Sequence, residues 1–217
     1  MLENVSECEE GQRSGDECDS APFVKLIILR GNSGSGKSTV AARLRAAYGR
    51  GIAVIAQDVV RRDILRERDM PGAANVTLIG LMTRHVLDQG VHVVLEGILY
   101  ADYYGEMLDA LRRDHAGGTL GYHFDIPYEA TLARHQTKPN CNDWSAEDMR
   151  RWYRDRDLLS GGTERIIGPE SSLEEAVERI LTETGLLAAV RPSHPGFAET
   201  AHRLGEPTGP GRGALRA

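Results

Sequence analysis

The chain has 217 residues, 41% hydrophobic and 6% aromatic, with 26 Lys+Arg against 32 Asp+Glu and a formal net charge of −6. That length suits one domain of ordinary size with tails, and the charge balance excludes a basic nucleic-acid coat. No run of about 18 apolar residues occurs and no basic stretch leads into an apolar one at the start, so neither a membrane span nor a secretory signal is expected.

The charge is unevenly placed. Residues 1–22 hold seven acids and only one base, Arg13, and have no hydrophobic periodicity, so an acidic, disordered arm is expected there. At the other end, residues 188–217 contain nine Gly or Pro and read as a flexible tail. Residues 23–187 are left as one folded body that is close to neutral. Of the basic residues, 23 are Arg and three are Lys (Lys25, Lys37, Lys138), a bias that with abundant Ala and Gly points to a GC-rich bacterial genome. Cys8, Cys18 and Cys141 cannot make a disulfide framework and point to a reducing cytoplasm.

Within the body, short apolar runs alternate with longer segments of helical period, the pattern of a parallel sheet with crossover helices. Strands are expected at 23–30 (FVKLIILR), 52–57, 91–99 (VHVVLEGIL), 120–126 and 165–167. Helices are expected at 38–48, 59–68, 76–89, 102–115, 128–135, 146–159 and 173–184. The last opens on Ser172 with Glu175 three residues on, a reciprocal capping box. The expected fold is thus α/β, a five-stranded parallel sheet with helices on both faces.

Directly after the first strand stands Gly31-Asn32-Ser33-Gly34-Ser35-Gly36-Lys37-Ser38-Thr39, a full match to GxxxxGK[ST]. Its glycines let the backbone amides turn inward, the following helix adds the positive end of its dipole, Lys37 reaches terminal phosphates, and the Ser38 hydroxyl is offered to Mg²⁺. Such a loop holds a polyphosphate. Asp58 follows 21 residues after Lys37 at the carboxyl end of the second strand, where parallel sheets expose ligands. It reads either as a base beside the transferred phosphate or as the N-cap of the next helix. Arg61 and Arg62 follow one turn later, where they can orient a polar or anionic acceptor or lie on the surface. Glu96 ends an apolar strand, so it can hold Mg²⁺ through water, bind an acceptor hydroxyl, or sit at the surface. Tyr100, Asp102 and Tyr103 come next, where an acceptor would lie.

These pieces resemble the small P-loop kinases, in particular polynucleotide 5′-kinase, zeta-toxin-type kinases and chloramphenicol phosphotransferase. The resemblance covers about residues 23–187 and rests on GNSGSGKST, the acid in IAQDVVRRDIL, the strand VVLEG and an Arg-rich segment from Arg134 to Arg156. It implies a nucleoside-monophosphate-kinase-like fold, ATP with Mg²⁺ as cofactors, and Asp58 as the base that accepts a hydroxyl proton. The Arg-rich segment, about 134–157, would be a helical lid: Arg134 near the adenine, Lys138 with one or two of Arg150, Arg151 and Arg154 near the phosphates, Arg150 being taken as a nucleotide contact and Arg154 as stabilising the transferring group. Arg151 lies about 100° around the helix from Arg150 and Arg154. The same cations also fit an ordinary charged helix, with Glu147, Asp148, Asp155 and Asp157 as counter-charges.

The leading expectation is an ATP-dependent phosphotransferase acting on a hydroxyl of a small molecule such as an antibiotic, nucleoside or sugar. The near-neutral body makes a polynucleotide acceptor less favoured, because a nucleic-acid groove needs a basic stripe; a zeta-toxin-like nucleotide-sugar kinase stays open. A nucleotide-dependent switch is the reading from another class, and no NKxD guanine motif supports a GTPase. His135 with Cys141 offers too few ligands for zinc, and His92 and His123 read as strand histidines.

Overall fold

The two sides of the first strand divide the protein into layers. The computed structural model describes residues 24–137 and 144–189; the acidic arm, the Gly/Pro-rich tail from 190 onward, Lys138 and Cys141 lie outside the described residues. In β1 (Leu26–Gly31), Ile27 and Leu29 pack with Val40 and Leu44 of α1 (Lys37–Tyr48) and Ile180 of α6 (Leu173–Glu183). The alternate residues, Leu26 and Ile28, meet Ile79 of α2 (Ala74–Asp88) and Leu108 and Leu111 of α3 (Ala101–Asp114). A strand apolar on both faces needs helices on both sides. Each fully buried Leu or Ile contributes about 2 kcal/mol.

The remaining strands are β2 (Ile52–Ala56), β3 (His92–Gly97), β4 (Thr119–Phe124) and β5 (Glu164–Ile167). All pairings are parallel, in the order β2-β3-β1-β4-β5, as expected of this α/β class. Parallel pairing gathers all five carboxyl ends along one edge, and β1 at the centre delivers the glycine-rich loop to the middle of it. In register, Leu29 of β1 lies beside Glu96 of β3, and Glu96 beside Ala56 of β2.

Two expected helices are shorter than their sequence pattern. Of 59–68, only Val59–Ile64 is helical, a π-type turn, after which the chain runs as a loop with Arg66 at φ 53°. Tertiary partners override propensity here: Glu67 accepts from Asn75 N at 2.5 Å and Asp69 from the Tyr104 hydroxyl at 2.5 Å. Likewise 146–159 ends as α5 (Ala146–Trp152), because Tyr153 turns extended and Arg154 and Asp157 are drawn to Asn32 and Arg30. The Ser172–Glu175 capping box forms as expected, and Ser145 with Asp148 makes a second at α5. Those bonds from Ser145, backbone and hydroxyl, hold the Asp148 carboxyl below its ordinary range.

His92 is a structural strand histidine. Its Nδ1 accepts from Lys25 N at 2.8 Å, which makes Nε2 the protonated nitrogen facing the Tyr48 hydroxyl at 2.9 Å. Burial, then the charge of Lys25, lowers its pKa and keeps it neutral. His123 on β4 is buried, and among the described residues neither ring nitrogen has a hydrogen-bond partner.

Candidate functional site: the phosphate loop and its cavity

The loop between β1 and α1 has the backbone its sequence demands. Gly34 sits at φ 79°, and a Cβ there would stand 2.6 Å from the Thr131 carbonyl; Gly36, at φ 102°, starts α1 from a left-handed conformation. No other residue takes both conditions without strain. The buried Lys37 ammonium donates to Asn32 O at 2.8 Å and to Ser35 Oγ at 3.1 Å, so its charge lies inside the loop's turn.

Beside it, Ser38 Oγ donates to Glu96 Oε2 at 3.1 Å. A hydroxyl and a buried carboxylate at the foot of a phosphate loop are the hard oxygen donors that suit Mg²⁺, and Ser33, Gly34 and Lys37 of the loop open onto a cavity where phosphate oxygens could lie. The residues therefore fit Mg-ATP on geometry as well as on motif. Glu96 is buried, not a strand-end surface residue.

A cavity of about 590 Å³ opens from this point, and Ser33, Gly34, Lys37, Ser38, Asp58 and Glu96 line one side of it. Asp58 makes no N-cap hydrogen bond; its carboxylate accepts from Arg61 at 3.0 Å and faces Arg62 Nε at 3.2 Å. Tyr100 and Tyr103 form another wall, with the Arg154 guanidinium 3.8 Å from the Tyr100 ring centre and 5.2 Å from that of Tyr103. Arg154 also pairs with Asp102 at 2.6 Å. Burial, against the charge of Arg154, pushes the Tyr100 hydroxyl up to about 12, so it stays a donor, here to Trp152 O at 2.7 Å.

A second, smaller cavity of about 290 Å³ lies on the other flank of the loop. Ser35, Gly36, Thr39 and Arg134 meet an apolar floor that includes Phe124 and Ile167. Arg134 Nη1 donates to Ser35 O at 3.0 Å. Arg150 joins neither: it lies over the Tyr128 ring, 4.8 Å from its centre, while its neighbour Arg151 lines the large cavity. Because α5 stops at Trp152, Arg150 and Arg154 do not share a helical face.

Several participants escaped the sequence reading. Arg30, the last side chain of an apolar strand, is fully buried and donates Nε to Leu99 O (2.8 Å), Nη1 to both Glu164 oxygens (2.8 and 2.9 Å) and Nη2 to Asp157 Oδ2 (3.0 Å). Leu99, buried at φ 47°, also donates its amide to Gln57 Oε1, and this clamp sets the turn that presents Tyr100. An arginine inside FVKLIILR was the available signal. Arg68 and Asp69 also line the large cavity, beside Trp144 and Trp152 of the Arg-rich segment that the sequence did single out.

A five-stranded parallel sheet with a phosphate loop after its central strand defines a P-loop nucleotide-binding fold of the type found in small kinases. The family model described as an AAA domain, AAA_33, matches residues 26–155, and the chain belongs to that family. Solved structures share the fold, three kinases among them. A sugar kinase from Janibacter sp. HTCC2649 is 16% identical, with TM-score 0.55 over 77% of this chain and 99% of that one. A gluconokinase from Sinorhizobium meliloti 1021 is 18% identical, with TM-score 0.54 over 85% and 99%. The Mycobacterium tuberculosis APS kinase, in complex with AMPPNP and APS, is 19% identical, with TM-score 0.57 over 74% and 97%. No curated protein matches the chain. Among the described residues no helix is long and apolar enough to cross a membrane.

Proposed function

We propose that the protein is an Mg-ATP-dependent kinase that transfers the γ-phosphate to a hydroxyl of a small molecule. The observation that carries the reading is that Lys37, the Ser38–Glu96 pair and Asp58 all face one cavity. Lys37 and the loop amides would hold the β- and γ-phosphates; Ser38, with Glu96 directly or through water, would hold Mg²⁺. Asp58 would take the proton from the acceptor hydroxyl as its oxygen bonds to the γ-phosphorus and the bond to ADP breaks. Its pairing with Arg61 and Arg62 orients the carboxylate.

Arg154 would neutralise charge on the transferring group, joined by Arg151. The apolar pocket beside Arg134 suits a nucleobase, and the large cavity, with Tyr100 and Tyr103, suits the acceptor. The folded body is proposed to span 23–187, with α4 (Tyr128–Gln136) and α5 acting as a lid that excludes water. The solved kinases named above support this reading through their shared fold. The cysteine pattern supports a cytoplasmic location.

The test is transfer of labelled γ-phosphate across a panel of hydroxyl compounds, run beside hydrolysis without acceptor. A kinase shows little hydrolysis until an acceptor is added. Hydrolysis as the main activity, indifferent to every acceptor, would mean a switch ATPase instead.

A further inference from the structure

We infer that Gln57, the residue before Asp58, is a positioning residue whose side chain sets the place of Asp58 relative to Glu96 and to the turn that carries Tyr100. The inference rests on the kinase reading, in which Asp58 takes the acceptor's proton.

Asp58 needs such a tie. Its carboxylate is largely exposed, and its partners Arg61 and Arg62 belong to the same turn, Val59–Ile64. Those ion pairs orient the carboxylate within the turn without joining the turn to the phosphate side of the cavity. Val60 seats the turn on the core, but an apolar contact has no direction. Gln57, only 2% exposed, supplies the direction. Its Oε1 accepts from Leu99 N at 3.1 Å, and its Nε2 donates to the Tyr104 hydroxyl at 2.7 Å and to Asp69 Oδ2 at 3.0 Å.

These partners allow the amide one orientation. A backbone N–H can only donate, so the carbonyl faces Leu99 and the amide nitrogen faces Tyr104 and Asp69. Burial, then the hydrogen bond to Asp69, pushes the Tyr104 hydroxyl far above its ordinary range, so it keeps its proton, donates it to Asp69 Oδ1 at 2.5 Å and accepts from Gln57.

Gly97 shows how closely the glutamine passes the end of β3. A Cβ at Gly97 would stand 2.5 Å from both Gln57 Cβ and Gln57 Oε1, so the glycine after Glu96 is what admits this side chain. The carboxylate proposed for the acceptor's proton and the one proposed for Mg²⁺ are thus spaced by Gln57 lying against Gly97. Leu99, held at φ 47°, leads into Tyr100, whose hydroxyl donates to Trp152 O, so the same amide also sets the acceptor wall. A misplacement of about 1 Å at a reacting group costs about 10²-fold in rate.

The readout is transfer of labelled γ-phosphate to the fastest compound of the hydroxyl panel and, in parallel samples without it, to water, the acceptor always present. Circular dichroism at the assay temperature confines the comparison to folded protein. Gln57→Met removes the hydrogen bonds with little change in side-chain length and should lower kcat about 10- to 100-fold, with KM for ATP within about threefold of wild type. In an Asp58→Asn background the same change should cost less than about threefold, because the group it positions is already lost; a purely structural role costs the same factor in both backgrounds. Gln57→Glu keeps an oxygen for Leu99 N but sets a carboxylate against Asp69, and its protonated form donates again. Its kcat relative to wild type should therefore rise about fivefold or more as pH falls from 8 to 6, and this variant decides the matter if Gln57→Met does not fold. A Gln57→Met rate within threefold of wild type, an equal loss in the Asp58→Asn background, or a Gln57→Glu ratio that does not change with pH overturns the inference. Failure of the kinase reading shows separately: no compound of the panel then takes phosphate from the wild type, while transfer to water still reads Gln57.

Discussion

Asn32 and Arg154, 122 residues apart, hold each other by two reciprocal hydrogen bonds: Asn32 Nδ2 donates to Arg154 O at 2.8 Å, and Arg154 N donates to Asn32 Oδ1 at 2.9 Å. The phosphate loop is thereby tied to the segment that brings Arg154 over Tyr100. The position of the arginine is set by a residue of the loop it would serve. Asn32→Ala should remove both bonds and let the segment drift, lowering kcat about 10- to 100-fold with a smaller change in nucleotide affinity. Steady-state kinetics at saturating ATP, with nucleotide binding measured separately, checks this; an unchanged kcat would detach Arg154 from the reaction.

Lys37 and Ser38 divide the phosphate site between them. Lys37→Ala should abolish measurable ATP binding in a calorimetric titration, since the charge inside the loop's turn is lost. Ser38→Ala should instead raise the Mg²⁺ concentration needed for half-maximal activity, because Glu96 keeps one oxygen donor there. If both variants bound Mg-ATP like the wild type, the loop would not be the nucleotide site.

Asp58 has no capping bond to lose, so Asp58→Asn separates chemistry from stability. Nucleotide affinity and melting temperature should stay near wild type while transfer falls about 10²- to 10⁴-fold. A loss of less than about threefold in the transfer assay would remove Asp58 as the base.

Arg30 sits fully buried between Glu164 and Asp157, and removing one partner of such a cluster leaves uncompensated buried charge. Arg30→Ala should destabilise the fold by about 3–5 kcal/mol, which for a chain of this size lowers the melting temperature by about 10 °C. Glu164→Gln should cost less, because the amide oxygen still accepts from Arg30. Thermal unfolding followed by circular dichroism distinguishes the two.

Burial lowers the pKa of both His92 and His123; at His123 it outweighs the attraction of Glu164. Both are therefore neutral in the fold, while an unfolded histidine takes a proton below its ordinary 6.5. The unfolded state then binds more protons, so stability should fall as pH drops below about 6.5 and level off only once the folded histidines protonate too. His123→Leu removes two buried nitrogens that have no partner among the described residues and should reduce that acid slope, with stability at pH 8 unchanged or raised by about 1 kcal/mol. Melting temperatures from pH 8 to 5 measure both effects.

What the sequence determined by itself was everything that depends on neighbours along the chain. Continuous apolar runs alternating with segments of helical period set the sheet and its two helical layers, glycines at fixed offsets set the phosphate loop, and Ser172 with Glu175 set the start of the last helix. Asp58 and Glu96 were legible because strand ends in a parallel sheet share one edge. The tertiary structure decided what depends on partners far away: that Arg151 and not Arg150 faces the cavity, that α5 ends at Trp152, and that Arg30 is a buried hub. Arg30 finds its carboxylates 127 and 134 residues later, and Arg154 finds Asn32 122 residues earlier. A periodic pattern tells which residues face a core, but the direction of a charged side chain is chosen by whichever distant partner meets it when the chain folds.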